Sequence, residues 1–111
     1  MRKTHPSKDP QRNVWLQLGF ADAETHYLKA DLVLRLDRTI KAHGLSQAAA
    51  AHRIGTTQPE LSKILGGKFS EVSLERLMRF LAALGHRVEI KIGTVGKTGA
   101  ITISNARRRA A

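Results

Sequence analysis

Cysteine is absent from all 111 residues, so disulfide staples and cysteine-based zinc sites are excluded. Acidic residues are scarce, nine against nineteen lysines and arginines. No run approaches the roughly 20 apolar residues that a membrane span requires. The opening MRKTHPSKDPQRN has no apolar region of the kind a secretory signal needs. These absences point to a cytoplasmic protein. Catalytic groupings are missing as well. No serine lies in a G-x-S-x-G elbow, and no two of the five histidines form a His-x-x-x-His pair. Gly96-Lys97-Thr98 looks like the end of a phosphate loop, but Lys91 stands where that motif needs its first glycine. The expectation is a non-enzyme with no metal and no cofactor.

What is abundant is positive charge. The formal net charge is +10. Such a balance favours a polyanionic partner, and duplex nucleic acid fits best, because its phosphates release counterions to Lys and Arg. A membrane surface fits less well, since no helix pattern pairs a wide apolar face with a lysine-rich one. The length allows one small domain with a modest core, and at that size dimerisation helps stability.

The most informative stretch is Leu45 to Gly67, LSQAAAAHRIGTTQPELSKILGG. Ser46 is a good N-cap for a helix from Gln47 to Ile54. Gly55 follows, where a left-handed backbone costs least. Thr57 caps a second helix, and Thr57-x-x-Glu60 has the form of a capping box. Pro59 falls in the first turn, where its missing donor is harmless. Gly66-Gly67 ends the helix. Ala51 supplies a small residue for a close crossing, and Leu61 and Ile64 share an inner face. Gln58, Pro59, Ser62 and Lys63 are then left facing outward, a composition suited to a DNA major groove.

The remaining chain reads in order. Residues 1–13 are polar and basic, either an arm that contacts DNA or a disordered end. Val14 to Phe20 alternates apolar and polar residues, which predicts an extended segment. Trp15 falls on the opposite face from Val14, Leu16, Leu18 and Phe20, and serves either the core edge or a partner. Asp22 can cap a long helix from Ala23 to about His43, with Leu28, Leu32, Leu36 and Ile40 as its inward stripe. Ser73 can cap a helix from Leu74 to Leu84, with Met78 as core filler and Gly85 as its stop. Val88, Ile90 and Ile92 alternate with Arg87, Glu89 and Lys91, which predicts a strand. The Gly93–Gly99 loop and Ala100–Ile103 extend this to a β-hairpin. A basic tail begins at Arg107.

LSQAAAAHRIGTTQPELSKILGG resembles the helix-turn-helix of the Cro/phage-repressor-like (Xre) superfamily. The wider stretch, from LGFADAE through KADLVLRLDRTIKAHGLSQ to SLERLMRFLAALGHRVEI, is similar to the branch containing HigA-type antitoxins and their stand-alone relatives. The expected fold is a mainly α, lambda-repressor-like bundle with a C-terminal β-strand or hairpin. The expected division is a basic arm at 1–13, the helix-turn-helix domain at 14–92, and a hairpin strand with basic tail at 93–111. The resemblance implies a homodimeric repressor of operator DNA. The candidate DNA-binding set is Gln47, Thr57, Gln58, Pro59, Ser62, Lys63 and Lys68. Similarity to the superfamily makes Gln47 a phosphate contact. The antitoxin branch further implies a small ribonuclease toxin as partner, for which Trp15, Asp22 and Glu24 are the candidate surface. A stand-alone regulator with no toxin is the alternative.

Overall fold

The computed structural model describes residues 20–106. Four helices follow one another within them: α1 (Phe20–Ala42), α2 (Gln47–Ile54), α3 (Gln58–Leu65) and α4 (Leu74–Ala83). The arm at 1–13, Trp15 and the tail from Arg107 lie outside the described residues, as does all of the expected extended segment but Phe20.

The long helix α1 carries the scaffold. Its stripe Leu28, Leu32, Leu36 and Ile40, widened by Val33, is buried, as the four-residue spacing requires. This face packs most extensively on α4, which contributes Leu77, Phe80 and Leu81. The helix begins earlier than expected. Phe20 is already helical, so Asp22 is a first-turn residue and not the N-cap. Its carboxylate still faces the positive end of the helix dipole. At the other end, the Gly44 and Leu45 amides donate back to Lys41 and Ile40 carbonyls, and Gly44 takes φ 65°.

The helices α2 and α3 sit across this pair. Ala50 and Ala51 are buried where α2 meets its neighbours, so short side chains set the close approach. One core results, from Leu32 through Ala51, Leu61 and Ile64 to Leu84, with Phe69 and Val72 closing the loop between α3 and α4. The His26 ring stacks on Phe69 at 5.5 Å between centroids, and Lys29 Nζ donates to the Ser70 carbonyl at 2.7 Å. That loop is thereby tied to α1.

The expected C-terminal strand or hairpin does not form: the described residues contain no strand. The reason is competition for the second arm. The Ile101 amide donates to Glu24 Oε2 at 3.1 Å, Ile103 packs against the core, and Arg35 Nη1 donates to Asn105 Oδ1 at 2.8 Å. Residues 101–105 are thus laid along α1. A lone two-stranded ribbon is marginal in water, and here one of its two sides has a better partner.

Leu36 has no exposed surface, whereas Leu34, two residues earlier on the outer face, is 48% exposed. Leu36→Ala is expected to lower unfolding stability by about 2–5 kcal/mol, and Leu34→Ala by less than about 0.5 kcal/mol. Urea unfolding followed by circular dichroism measures both, and equal shifts would contradict the assigned helix face.

Candidate nucleic-acid interface

The two short helices α2 and α3 are defined by their ends. Ser46 Oγ accepts from the Ala49 amide at 3.1 Å, which starts α2. Gly55, at φ 81° and ψ 33°, ends it in the left-handed conformation, and the Thr56 amide closes back on the Ala51 carbonyl at 2.9 Å. A Cβ at position 55 would be strained by this φ, although space for it exists. Two residues later Thr57 Oγ1 accepts from the Glu60 amide at 3.2 Å and begins α3. Only three residues separate the helices, so the turn fixes their relative direction.

Within α3, Leu61 is 0% and Ile64 1% exposed. Holding these two inward forces the opposite side of an eight-residue helix into solvent. Gln58, Pro59, Ser62 and Lys63 are all exposed there. Gln58 and Ser62 are one turn apart, as are Pro59 and Lys63, so the four form two adjacent rows. Gln47 is exposed as the first residue of α2, and Lys68 is exposed just beyond α3. The Lys68 amide donates to the Lys63 carbonyl at 2.9 Å, which fixes where this lysine leaves the helix. Thr57 is exposed at the start of α3. Its hydroxyl oxygen serves the cap, which leaves the O–H free to donate outward.

The side chains on this surface are of the types that suit groove readout. An amide side chain at the start of a helix can pair bidentately with adenine, a hydroxyl can reach a base or phosphate, and a pyrrolidine ring can touch a thymine methyl. Lys63 and Lys68 supply positive charge beside them, and the α2 and α3 N-termini add their backbone dipoles.

One structural element of the site was not read from the sequence. The Glu60 carboxylate does not act as the second half of a simple capping box. It accepts from the Thr56 hydroxyl and from Arg76 Nη2. Arg76 comes from the first turn of α4, its guanidinium lying 5.1 Å from the centroid of the Phe80 ring. The first turn of α3 is thus tied both to the preceding turn and to α4. The i,i+4 spacing of Arg76 and Phe80 was available in the sequence; the sixteen-residue link from Glu60 to Arg76 was not.

Asp22 is exposed, Glu24 is half-buried and engaged with the Ile101 amide, and Trp15 lies outside the described residues. The described residues hold no cluster of three or more His, Asp or Glu able to hold a metal, and no helix among them is long and apolar enough to cross a membrane.

A capped three-residue turn between two short helices, with the second presenting a polar face, defines a helix-turn-helix protein. A family model described as a helix-turn-helix domain matches residues 14–93, and the chain belongs to that family. A solved structure described as "Putative XRE Family Transcriptional Regulator" is similar to it, with 39% identity and a TM-score of 0.72. That likeness covers 77% of this chain and 99% of the other. No curated protein matches.

The Arg76 and Thr56 hydrogen bonds hold the Glu60 carboxyl below its ordinary value of 4.5. A carboxyl lowered on folding stabilises the native state above its unfolded value, and the benefit disappears as pH falls through the lowered native value. The native protein is therefore expected to lose stability in acid below about pH 4.5, and Glu60→Gln to lose less over the same range. Thermal unfolding of both proteins between pH 7 and 3 checks this, and parallel curves would remove Glu60 from the account.

Proposed function

We propose that the protein is a sequence-specific DNA-binding transcriptional repressor that acts as a homodimer on an operator with two half-sites. The single observation that carries this is the outward row of α3, Gln58, Pro59, Ser62 and Lys63, opposite the buried Leu61 and Ile64. The family match and the XRE-regulator neighbour support a DNA-binding regulator in general. In the proposed complex α3 enters the major groove. Gln58 and Ser62 read base edges, and Pro59 rests against a thymine methyl. Gln47, Thr57, Lys63 and Lys68 contact phosphates, which set position and affinity more than sequence. The net charge of +10 supplies the non-specific attraction on which this depends.

An antitoxin role rests on the HigA-type resemblance alone. It would add a small ribonuclease toxin bound near Trp15, Asp22 and Glu24. Since the Glu24 carboxylate already receives the Ile101 amide, the stand-alone regulator is the reading carried forward. Capture of the product of an adjacent reading frame, lost on Trp15→Ala with operator binding intact, would reverse that preference.

Selection from a random duplex library, followed by footprinting, is expected to return a palindromic site with half-sites about 34–36 Å apart or a multiple of that. Gln58→Ala should relax preference at one base position per half-site, at about 1–3 kcal/mol. Lys63→Ala should weaken all sequences alike and reduce the salt slope by about one. If no site is enriched and both variants bind as the parent does, α3 is not the reading helix.

A further inference from the structure

The eight residues of α3 are held by unequal means at their two ends. Leu61 and Ile64 are buried beyond its first turn, and the Gly66 and Lys68 amides close its C-terminal end on the Ser62 and Lys63 carbonyls. The first turn, which carries Gln58 and Pro59, lies before both buried residues. Its cap bond, from the Glu60 amide to Thr57 Oγ1, joins the turn only to its own cap residue. The Glu60 side chain supplies the tie that the cap does not. Its Oε1 accepts both from the Thr56 hydroxyl, in the preceding turn, and from Arg76 Nη2, in α4. Arg76 Nη2 also lies 3.4 Å from Thr56 Oγ1, and its guanidinium rests over the Phe80 ring. The turn, α3 and α4 thus meet at one carboxylate oxygen.

Stability is a small part of what this group supplies. The Arg76 and Glu60 side chains are 41% and 40% exposed, and ion pairs so open to solvent contribute little to folding. Affinity does not account for it either, since a carboxylate on the first turn of the proposed reading helix repels phosphate. What remains is geometry. A bidentate contact between an amide side chain and a base edge discriminates only when the contacting residue is held to within about 0.5 Å and 10–20°. Gln58 stands two residues before Glu60, so a displacement of Glu60 is carried into it. Arginine suits the task because its planar fork is gripped at the edge by the carboxylate and on the face by the aromatic ring, which a lysine cannot reproduce.

We propose that Glu60 and Arg76 are positioning residues for base discrimination: through the first turn of α3 they set the orientation of Gln58 and Pro59, and they do so without touching DNA. This rests on the reading of α3 as the helix that enters the major groove, and it names what fixes the specificity of that site. Charge and specificity then come apart. Removing the carboxylate takes away one repulsive charge and raises affinity for every duplex, yet it lowers discrimination. Removing the guanidinium lowers both. A phosphate contact behaves otherwise, since its loss weakens all sequences alike. Arg79, on the same helix but 76% exposed and paired only with Glu75 one turn earlier, is the reference for charge alone.

The test uses the full-length protein and compares, for each variant, its affinity for the selected operator with its affinity for a scrambled duplex of the same length. Glu60→Gln and Arg76→Gln should each reduce that ratio about tenfold, with the loss concentrated at the base position that Gln58→Ala relaxes. Affinity for the scrambled duplex should rise for Glu60→Gln and fall for Arg76→Gln. Arg79→Gln should lower both affinities together and keep the ratio. Arg76→Lys should also lose discrimination, which retained charge alone would preserve. In a double-mutant cycle, Arg76→Gln added to Gln58→Ala should bring no further relaxation at that position. Circular dichroism at unchanged helix content excludes unfolding as the cause. An Arg76→Gln protein that loses affinity for both duplexes in equal proportion, as Arg79→Gln does, or a Glu60→Gln protein that keeps the full ratio, would overturn the proposal. The groove reading is scored separately. If Gln58→Ala relaxes one position while the Glu60 and Arg76 variants keep it, α3 remains the reading helix and these two residues do not position it. If Gln58→Ala relaxes nothing, the reading is lost and the proposal with it.

Discussion

A helix of eight residues cannot sustain itself in water, because nucleation costs more than so few hydrogen bonds return. The helix that faces outward here, α3, is eight residues long, and so is α2 that precedes it. Everything else in the bundle answers that constraint. Leu61 and Ile64 supply burial, and Thr57, Pro59 and Gly66 handle the ends. Within the bundle α3 packs on α2 and on the long helix α1, whose buried face is shared with α4. Because stability is drawn from one face, the other face is free to vary. Gln58, Ser62 and Lys63 can be exchanged without touching the core, which is the property a reading surface needs.

Charge is distributed to the same end. The basic excess is large, yet several carboxylates are spent internally. Asp31 pairs with Arg35, Asp37 with Lys41 and Glu75 with Arg79, each one helical turn away. Such exposed pairs contribute little stability. Glu60 differs because its partner Arg76 belongs to another helix. That contact fixes the first turn of α3 relative to α4, and the first turn is where Gln58 and Pro59 stand. Neutralising one cation near the reading surface is the electrostatic cost of holding it still.

How much of this could be read in advance follows from the range of each interaction. Helix ends are local events. Ser46, Gly55, Thr57 and Ser73 act within five residues of themselves, and each occupies in the structure the cap position its spacing implies. The inward stripe of α1 is likewise a matter of period. The start of α1 was misplaced because Asp22 is as good a first-turn residue as it is a cap, and only the preceding backbone distinguishes the two. The C-terminal hairpin was misread for a deeper reason. Period-two alternation in 88–92 reports that one face wants burial, but it does not name the partner. The second arm found Glu24 and Arg35, seventy or more residues away. The link from Glu60 to Arg76 escaped for the same reason. Of the candidate contacts, the exposed positions on α3 were legible because the buried ones were; a polar residue reveals its outward direction through its apolar neighbours.

Affinity and discrimination place different demands on such a surface. Long-range attraction to a polyanion requires only net charge, which lysines and arginines across the whole surface provide and which salt weakens. Discrimination between base pairs requires a few side chains held to within a fraction of an ångström, and no amount of charge supplies that. In the proposed complex the second requirement falls on one turn of helix, secured on one side by Leu61 and Ile64 and on another by Glu60 with Thr56 and Arg76. Loosening either support would leave the charge intact. On the proposed reading the protein would still find nucleic acid but would lose its means of choosing where on it to stay, which makes the core packing beneath α3 as much a determinant of specificity as the residues above it.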